Sequence, residues 1–370
     1  MQSDETKPAV AGRIMSIDAL RGFDMFWITG GVPLVLALVK VFVDPPPEWL
    51  TKQFEHKLWN GFSAEDLIMP LFLFVVGAAM PFSFAKRVER GQSKKSLYLK
   101  IARRFVILWV LGMMMQGHLL EYDPSKLVLF SNTLQAIAVG YALTALLMIH
   151  CGVLWQLVAI PVLLVGYWLL MVLVPVPGHG AGVLEPGANL ARYIDEAILG
   201  RFRYPMNYTW ILSGLGFTST VLLGATSGHL LRLQRSHAWK VAMLLALGAG
   251  SLAVGAVWDR WFPINKHLWT SSMVLWAGGW SFLLLAVFYL VIDVAGWRWW
   301  AFPFVVIGAN AIVAYMIGRF VSFKGISDVF LKHLVPHLGV WGEFVRQLGA
   351  MIVMWLAFWY LYRNKTFIRI

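Results

Sequence analysis

Long apolar runs constrain this chain more than any other feature of its sequence. A run of about 20 apolar residues is long enough to cross the hydrocarbon core of a bilayer as a helix. Of the 370 residues, 59% are hydrophobic and 14% are charged, whereas a soluble domain has about 25% charged residues. We therefore predict an all-α polytopic membrane protein with about ten transmembrane helices, at about 20–43, 63–85, 103–119, 130–149, 152–174, 210–231, 239–257, 269–291, 301–320 and 344–362.

Basic residues between the apolar runs predict the orientation. The dense run KRVERGQSKKSLYLKIARR (86–104), the loop 232–240 and the tail 363–370 share one side if there are ten spans, and short basic loops stay in the cytoplasm. Both termini are therefore predicted to be cytoplasmic. The loops at about 44–62, 120–129, 175–209, 258–268 and 321–343 are expected on the outer face.

The chain is expected to hold one polar N-terminal tail, residues 1–12, and one transmembrane domain, residues 13–370. Its first residues lack the features of a signal peptide, so the first apolar run is expected to remain as a span. The net charge of +12 is explained by the membrane topology, and no basic module for nucleic acid is visible. The histidines do not have metal-ligand spacing, and the single cysteine, Cys151, cannot form an intrachain disulfide.

Polar residues lead directly into the second span, in the stretch HKLWNGFSAEDLIMP (56–70). Ser63 and Asp66 have the spacing of a capping box, which predicts a helix start and leaves 56–61 as a structured loop. His56, Asn60 and Asp66 would lie near one face if the stretch were helical. Taken alone, His56 is compatible with an ordinary interfacial histidine as well as with a site residue.

Three charged residues open the first span in RIMSIDALRGFDMFW (13–27). Asp18, Arg21 and Asp24 follow at intervals of three and share roughly one helical face. One interpretation is an ion-paired helix end, with Arg21 reaching to the interface. The other is that this face lines a polar cavity and orients an anionic ligand.

Further polar side chains are scattered through the other apolar runs. Each of them is expected to form a hydrogen bond between helices, and together they are numerous enough to line one internal cavity. They are His118, Asn132, Gln135, His229 and Asn310.

Several stretches in order resemble one family of membrane enzymes. They include HKLWNGFSAEDLIMPLFLFVVGAAM, NTLQAIAVGYAL, FPINKHLWTSSMVL and IGANAIVAYM. The chain resembles the membrane domain of heparan-α-glucosaminide N-acetyltransferase and its bacterial relatives linked to N-acetylglucosamine utilisation, over roughly residues 13–360. The runs at 56–61 and 263–269 are the most specific, whereas Arg21-Gly22 after Asp18 is looser.

The resemblance implies acetyl transfer across a membrane. Acetyl-CoA would bind from the cytoplasm, and the acetyl group would reach the amine of a glucosamine-type sugar, or a glycan end, on the periplasmic side. His56 matches the histidine held to be essential in the family, which makes it the catalytic candidate. Thr29 stands near the place of a family asparagine, so that asparagine's role does not carry over. The expected location is the bacterial inner membrane, in contact with lipid.

The chemistry assigns expected roles to the remaining candidates. A neutral imidazole can take a proton from an attacking amine, or it can attack acetyl-CoA and hold the acetyl group, and both routes stay open. Asn60 or Asp66 would fix the imidazole tautomer. Residues expected to bind substrate are Asn60, Asp66, Asp18, Arg21, Asp24, Asn132, Gln135, Asn265, Lys266, Asn310, Arg103 and Arg104; of these, Asn265 and Lys266 would hold sugar hydroxyls or an oxyanion, and Arg103 and Arg104 the CoA phosphates.

Two other functions remain open at this point. One is a transporter of N-acetylglucosamine or a related amino sugar, and the other is an O-acetyltransferase that modifies an envelope glycan. Neither a metal nor nucleic acid is expected as a partner, and the oligomeric state, with a homodimer as one option, is not fixed by the sequence.

Overall fold

The computed structural model describes residues 14–89 and 91–367, without the side chains at positions 88 and 89. The predicted N-terminal tail, residues 1–12, lies outside this part. The described chain is helical throughout apart from its loops and two isolated β-bridges. In chain order the α-helices are α1 (Met15–Phe26), α2 (Val32–Phe42), α3 (Glu48–Thr51), α4 (Ala64–Glu89), α5 (Lys94–Gln116), α6 (Thr133–His150), α7 (Val153–Leu173), α8 (Leu190–Leu199), α9 (Gly214–Arg232), α10 (His237–Trp258), α11 (Ser271–Phe288), α12 (Phe302–Gly308), α13 (Ala311–Phe320), α14 (Phe323–Leu331) and α15 (Gly342–Arg363).

The expected class, a helical membrane protein, is confirmed. In the described chain, 7 helical segments are long and apolar enough to cross a membrane, and the pair α12 and α13, bent by 67°, would make 8. The 7 segments are Met15–Phe42, Ala64–Arg87, Thr133–His150, Val153–Leu173, His237–Trp258, Ser271–Val294 and Val335–Arg363. Helices also cover the other two expected spans, α5 and α9, but neither is among these segments, so the count of about ten stays a prediction.

The composition of α9 follows from its position in the centre of the bundle. Of its 19 residues, 15 are buried, and they include many Gly, Ser and Thr. A helix surrounded by protein does not need the apolar surface that lipid demands, and small residues allow other helices to approach closely. The hydroxyls of Thr218, Ser219 and Thr220 are bonded to carbonyls four residues back in the same helix.

Helices α4 and α9 are in direct backbone contact in the core. A Cβ atom added at Gly224 would lie 1.9 Å from the Phe74 carbonyl oxygen, and one added at Gly77 would lie 2.0 Å from that of Val221. Only glycine fits at either position, since the two backbones are already in contact. This contact fixes α4, which carries much of the site described below.

A short π-helix, Trp27–Gly31, joins α1 to α2. Gly30 has a φ of 145° there, a conformation that side chains rarely allow. Pro33 in the first turn of α2 suits the restart of the helix. The hydroxyl of Thr29 donates to the Met25 carbonyl at 2.8 Å, so it is used within its own helix.

Four loops contact one another at one end of the bundle. The backbone N–H of Gly61 donates to the Ile264 carbonyl at 2.8 Å, that of Thr209 to His267 at 2.9 Å, and that of Leu129 to Phe202 at 3.0 Å. These contacts agree with the prediction that the loops share one side of the membrane. Which side faces the cytoplasm stays a prediction.

Candidate active site

The start of α4 is built as the sequence predicted. The Asp66 carboxylate accepts from the Ser63 backbone N–H at 3.1 Å, which is the acidic half of a capping box. The Ser63 hydroxyl lies 2.9 Å from the same Asp66 oxygen and 2.7 Å from the Glu55 carbonyl oxygen. Because these contacts fix the segment just ahead of the helix, His56 is held in a structured loop.

Asp66 connects His56 to Lys266. Its Oδ1 atom lies 3.0 Å from His56 Nδ1 and 3.3 Å from Lys266 Nζ, while its Oδ2 faces Ser63. The carboxylate and the lysine side chain are 1% and 8% exposed, whereas the histidine side chain is 51% exposed. The carboxylate therefore favours the tautomer with the proton on Nδ1, which leaves Nε2 unprotonated and able to act as a base.

A buried loop between α10 and α11 delivers Lys266 to this cluster. The Asn265 side chain donates to the Asn60 side chain at 3.1 Å and accepts from the Leu268 backbone N–H at 2.9 Å. Asn60 and Asn265 thus lock two loops together, and neither contacts the imidazole. Burial lowers the pKa of the Lys266 ammonium below its ordinary value, and the charge of Asp66 acts in the opposite direction.

His267 is a second histidine close to the cluster. Its ring is stacked against Trp59, with a centroid separation of 5.3 Å, and lies 4.3 Å from the ring centroid of Tyr208. Burial, together with the nearby charge of Lys266, lowers the pKa of His267 to about 4. At neutral pH it is therefore an uncharged ring in an aromatic stack.

His56 faces a cavity of about 380 Å³, called here the His56 cavity. Its polar lining includes Glu65 and Lys266, and its wall on the loop side is aromatic, formed by Tyr204, Tyr208 and Trp210. A concave site with aromatic walls and a few polar groups is typical of small-ligand binding. Burial raises the pKa of Tyr208, so its ring remains an uncharged contact surface.

A second cavity, of about 450 Å³, is lined by Arg21, Arg87 and Arg104 and is called here the arginine cavity. Nη1 of Arg87 and Nε of Arg104 are buried and have no hydrogen-bond partner among the described residues. The Arg104 guanidinium also lies 4.1 Å from the ring centroid of Tyr141. Arg103, which the sequence grouped with Arg104, is exposed and does not line the cavity. Three guanidiniums at one cavity provide donors that suit an anionic ligand such as phosphate.

Phe72 lines both cavities. It lies about a third of the way along the face of α4 that runs from Glu65, in the His56 cavity, to Arg87, in the arginine cavity. At 1.5 Å per residue this face extends about 33 Å, close to the thickness of a bilayer core. The two cavities therefore border the same ring, and they approach the two ends of a membrane-spanning helix.

The charged face expected on α1 is divided between two environments. Arg21 lines the arginine cavity and forms a 3.5 Å ion pair with Asp18. Asp24 instead lines a third cavity, of about 210 Å³, together with Glu65. The interpretation as an ion-paired helix end thus holds for Asp18 and Arg21, and Asp24 is separate from it.

Three further predicted site residues hold loops and helix ends and do not line the two large cavities. The Asn132 side chain caps α6 and donates to Gln116 and Tyr315, both of which line the His56 cavity. Gln135 donates to the Leu129 carbonyl at 2.6 Å, and Asn310 donates to that of Thr366 at 3.2 Å. A direct role in substrate binding for these three stays a prediction.

Several lining residues are not among the predicted site residues. Arg87 belongs to a basic run in the sequence, but its spacing from Glu65 and Phe72 on α4 puts all three on one face. Glu65 stands beside the predicted helix cap and lines two cavities. Tyr208 and His267 carry no motif of their own, since loop packing alone brings them to the site.

Together these features define a class: a polytopic helical membrane protein that has a His–Asp–Lys cluster at one cavity and three arginines at a second, with Phe72 lining both. Comparison with known proteins agrees with this description. A family model described as a domain of unknown function (DUF5009) matches residues 13–125. The heparan-alpha-glucosaminide N-acetyltransferase of Homo sapiens is 27% identical over 424 residues, covering 98% of this chain.

The protein of the same name from Mus musculus is 26% identical over 368 residues, covering 84% of this chain. These matches confirm the resemblance found in the sequence. The chain spans 60% of the human protein and 54% of the mouse protein.

Proposed function

We propose that this protein transfers an acetyl group from cytoplasmic acetyl-CoA to the amine of a glucosamine-type sugar on the periplasmic side of the inner membrane. The observation that carries the proposal is that the ring of Phe72 lines both the His56 cavity and the arginine cavity. The names of the human and mouse relatives support N-acetyl transfer to a glucosaminide.

The arginine cavity is the proposed donor site. CoA carries phosphates, and Arg21, Arg87 and Arg104 supply guanidinium donors for them. The unpartnered N–H groups of Arg87 and Arg104 support this fit, since buried donors without a partner favour a ligand that satisfies them. The pantetheine arm would extend along α4 and bring the thioester to Phe72.

His56 is the proposed base. Its Nε2 takes a proton from the amine as the nitrogen attacks the thioester carbonyl, so a C–N bond forms. The C–S bond then breaks, and the imidazolium returns the proton to the leaving thiolate, which departs as CoA thiol. Asp66 holds the ring and stabilises the imidazolium, as a carboxylate does in a catalytic triad. In the alternative, Nε2 of His56 attacks the thioester carbon and the C–S bond breaks, which leaves an acetyl-imidazole; the amine then attacks this acetyl carbon, and the bond from it to His56 breaks.

Lys266 and the aromatic wall are proposed to serve the acceptor side. Lys266 lines the His56 cavity beside the imidazole, where a cation can stabilise an oxyanion on the thioester carbon. Tyr204, Tyr208 and Trp210 offer flat surfaces for a sugar ring. Because His56 is half exposed, an acceptor can reach it from the loop side.

The direct test is release of free thiol by purified protein from acetyl-CoA in the presence of glucosamine. Release that depends on glucosamine, with N-acetylglucosamine as product, is expected, and His56→Ala should abolish it. Release that requires a glycan hydroxyl would favour O-acetylation. No thiol release with any sugar, together with uptake of labelled sugar into proteoliposomes, would contradict the proposal and favour transport.

A further inference from the structure

The third cavity is separate from the proposed donor site and is bounded by two acidic side chains. Asp24 on α1 and Glu65 on α4 both line it, and its volume is about 210 Å³. Its other lining residues in the described chain are apolar or aromatic, including Phe23, Leu67 and Leu284. This cavity is called here the Asp24 cavity.

Asp24 is fully buried, at 0% exposure, and within residues 14–89 and 91–367 neither of its carboxyl oxygens has a hydrogen-bond partner. Oε2 of Glu65 is likewise buried without a partner in this part of the chain. An isolated carboxylate in such surroundings costs far more free energy than a neutral carboxylic acid, and two adjacent carboxylates cost more still. An apolar lining provides few further oxygens for a metal ion, so a proton is the ligand that this pair fits best.

Glu65 also lines the His56 cavity. Its carboxyl therefore stands between the proposed catalytic space and Asp24. The charged groups that act on Glu65 are His56 from the preceding loop, Lys266 from the α10–α11 loop and Asp66 on its own helix. The charged group that acts on Asp24 is Glu65.

Acetylation of an amine that arrives as an ammonium ion leaves one proton over. The nitrogen loses two protons to become an amide N–H; one leaves on the CoA thiol, and the other must leave the cavity. If it stayed on His56, the next turnover would begin without a base. A nearby acceptor for that proton would restore the base before the next amine binds.

We propose that Asp24 and Glu65 form a proton-holding pair that takes this surplus proton from the imidazolium of His56. At rest the two carboxyls share one proton; the N–H bond of the imidazolium breaks, an O–H bond forms on Glu65, and His56 is neutral again. The second proton then leaves from Glu65 to solvent through the His56 cavity, which Glu65 also lines, while His56 stays neutral. This role rests on the proposed acetyl transfer, whereas the shared proton itself does not.

The resting proton can be measured without any substrate. Infrared spectra of the purified protein are expected to show the C=O band of a neutral carboxylic acid, and Asp24→Asn should remove or shift it. The matched control is Asp293→Asn, which removes a carboxyl that accepts the Met15 and Ser16 backbone N–H groups instead; the band should remain. A wild-type protein without the band, or a band that survives in both Asp24→Asn and Glu65→Gln, would overturn the proposal.

Kinetics test the transfer step. Glu65→Gln is nearly isosteric and should lower kcat by roughly 10²-fold, the low end of the range for proton transfer, with little change in the KM for acetyl-CoA. Added imidazole should restore part of the rate by removing the proton instead. Wild-type kcat and pH profile in Glu65→Gln, while His56→Ala is inactive, would overturn the relay and leave the proposed function intact. If the wild-type protein consumes no acetyl-CoA, the proposed function fails, and the infrared band still decides the shared proton.

Discussion

His56 and Asp66 are joined by a 3.0 Å contact between Nδ1 and Oδ1, although the histidine lies in a loop and the carboxylate in the first turn of a helix. The carboxylate is held from its other oxygen by Ser63, so it cannot turn away from the ring. The orientation of the proposed base is thus fixed by a helix cap.

Replacement of Asp66 by Asn should separate orientation from charge. Asp66→Asn keeps the shape but loses the preference for the Nδ1-protonated ring, so kcat should fall by roughly 10²-fold or more. Thiol release at saturating acetyl-CoA measures this. Equal kcat in the variant and the wild type would contradict the proposed His–Asp pair.

The Asp66–Lys266 ion pair should contribute to stability. Removing one partner of a buried pair costs about 3–5 kcal/mol, because the other charge remains buried. Lys266→Met and Asp66→Asn are each expected to lower the melting temperature in detergent, and the double variant should lose less than the sum. If the losses in melting temperature were additive, the two side chains would not stabilise each other through their 3.3 Å contact.

Because only one of the adjacent residues Arg103 and Arg104 lines the arginine cavity, their replacement should affect the KM for acetyl-CoA differently. Arg104→Ala and Arg87→Ala should each raise the KM for acetyl-CoA by roughly tenfold or more, the effect of losing about 1.5–3 kcal/mol from a charged hydrogen bond. Arg103→Ala is the matched control, since Arg103 is exposed and outside the cavity. Equal KM changes at 103 and 104 would mean that only the general surface charge matters.

A larger side chain at Phe72 is expected to block acetyl transfer without weakening the binding of CoA. Phe72→Trp should narrow the contact between the two cavities, so kcat falls while binding of CoA, measured by calorimetry, is retained. Phe72→Leu provides the comparison, because it removes bulk from a buried site and should keep activity at some loss of stability. Faster turnover in Phe72→Trp than in Phe72→Leu would argue against passage at this point.

We expect His267 to make the stability of the folded protein sensitive to acid. Its pKa in the folded protein, about 4, is below the unfolded value of about 6.5, so the folded state favours the neutral ring. This contribution is complete above pH 6.5 and is lost as the pH falls from 6.5 towards 4. His267→Phe keeps a ring and should flatten the decline in melting temperature over that interval. An unchanged decline in the variant would assign the acid sensitivity to other groups.

Periodic and local features of the sequence predicted much of this molecule. Apolar runs of span length identified the helical membrane class, and Ser63 with Asp66 predicted where α4 begins, because a cap depends on only four neighbouring residues. The pairing of Asp66 with Lys266, 200 residues apart, depends on which helices pack together. The family resemblance pointed to both segments but could not supply their contact.

Dependence on helix packing also explains why residues grouped together in the sequence are separated in the structure, and why other lining residues were not expected. Arg103 and Arg104 are adjacent and identical in type, but the rotation of the helix between them leaves Arg103 exposed and places Arg104 in the cavity wall. Asp24 shares an expected face with Arg21 but borders a different space, since the neighbouring helices divide that face. Cavities are properties of packing, and no periodic pattern encodes their boundaries.

The backbone contact of α4 with α9 has a mechanical consequence. Because Gly77 and Gly224 already lie against opposing carbonyl groups, α4 cannot shift along α9 or rotate against it without a backbone clash. Helix α12 is held against α1 in the same way, since a Cβ atom added at Gly22 would lie 1.7 Å from the Phe304 carbonyl oxygen. Movement that admits a bulky ligand is therefore expected beyond the break, in α13, which borders the arginine cavity through Ala311 and Ile312. Catalytic alignment and ligand exchange are thereby assigned to different helices.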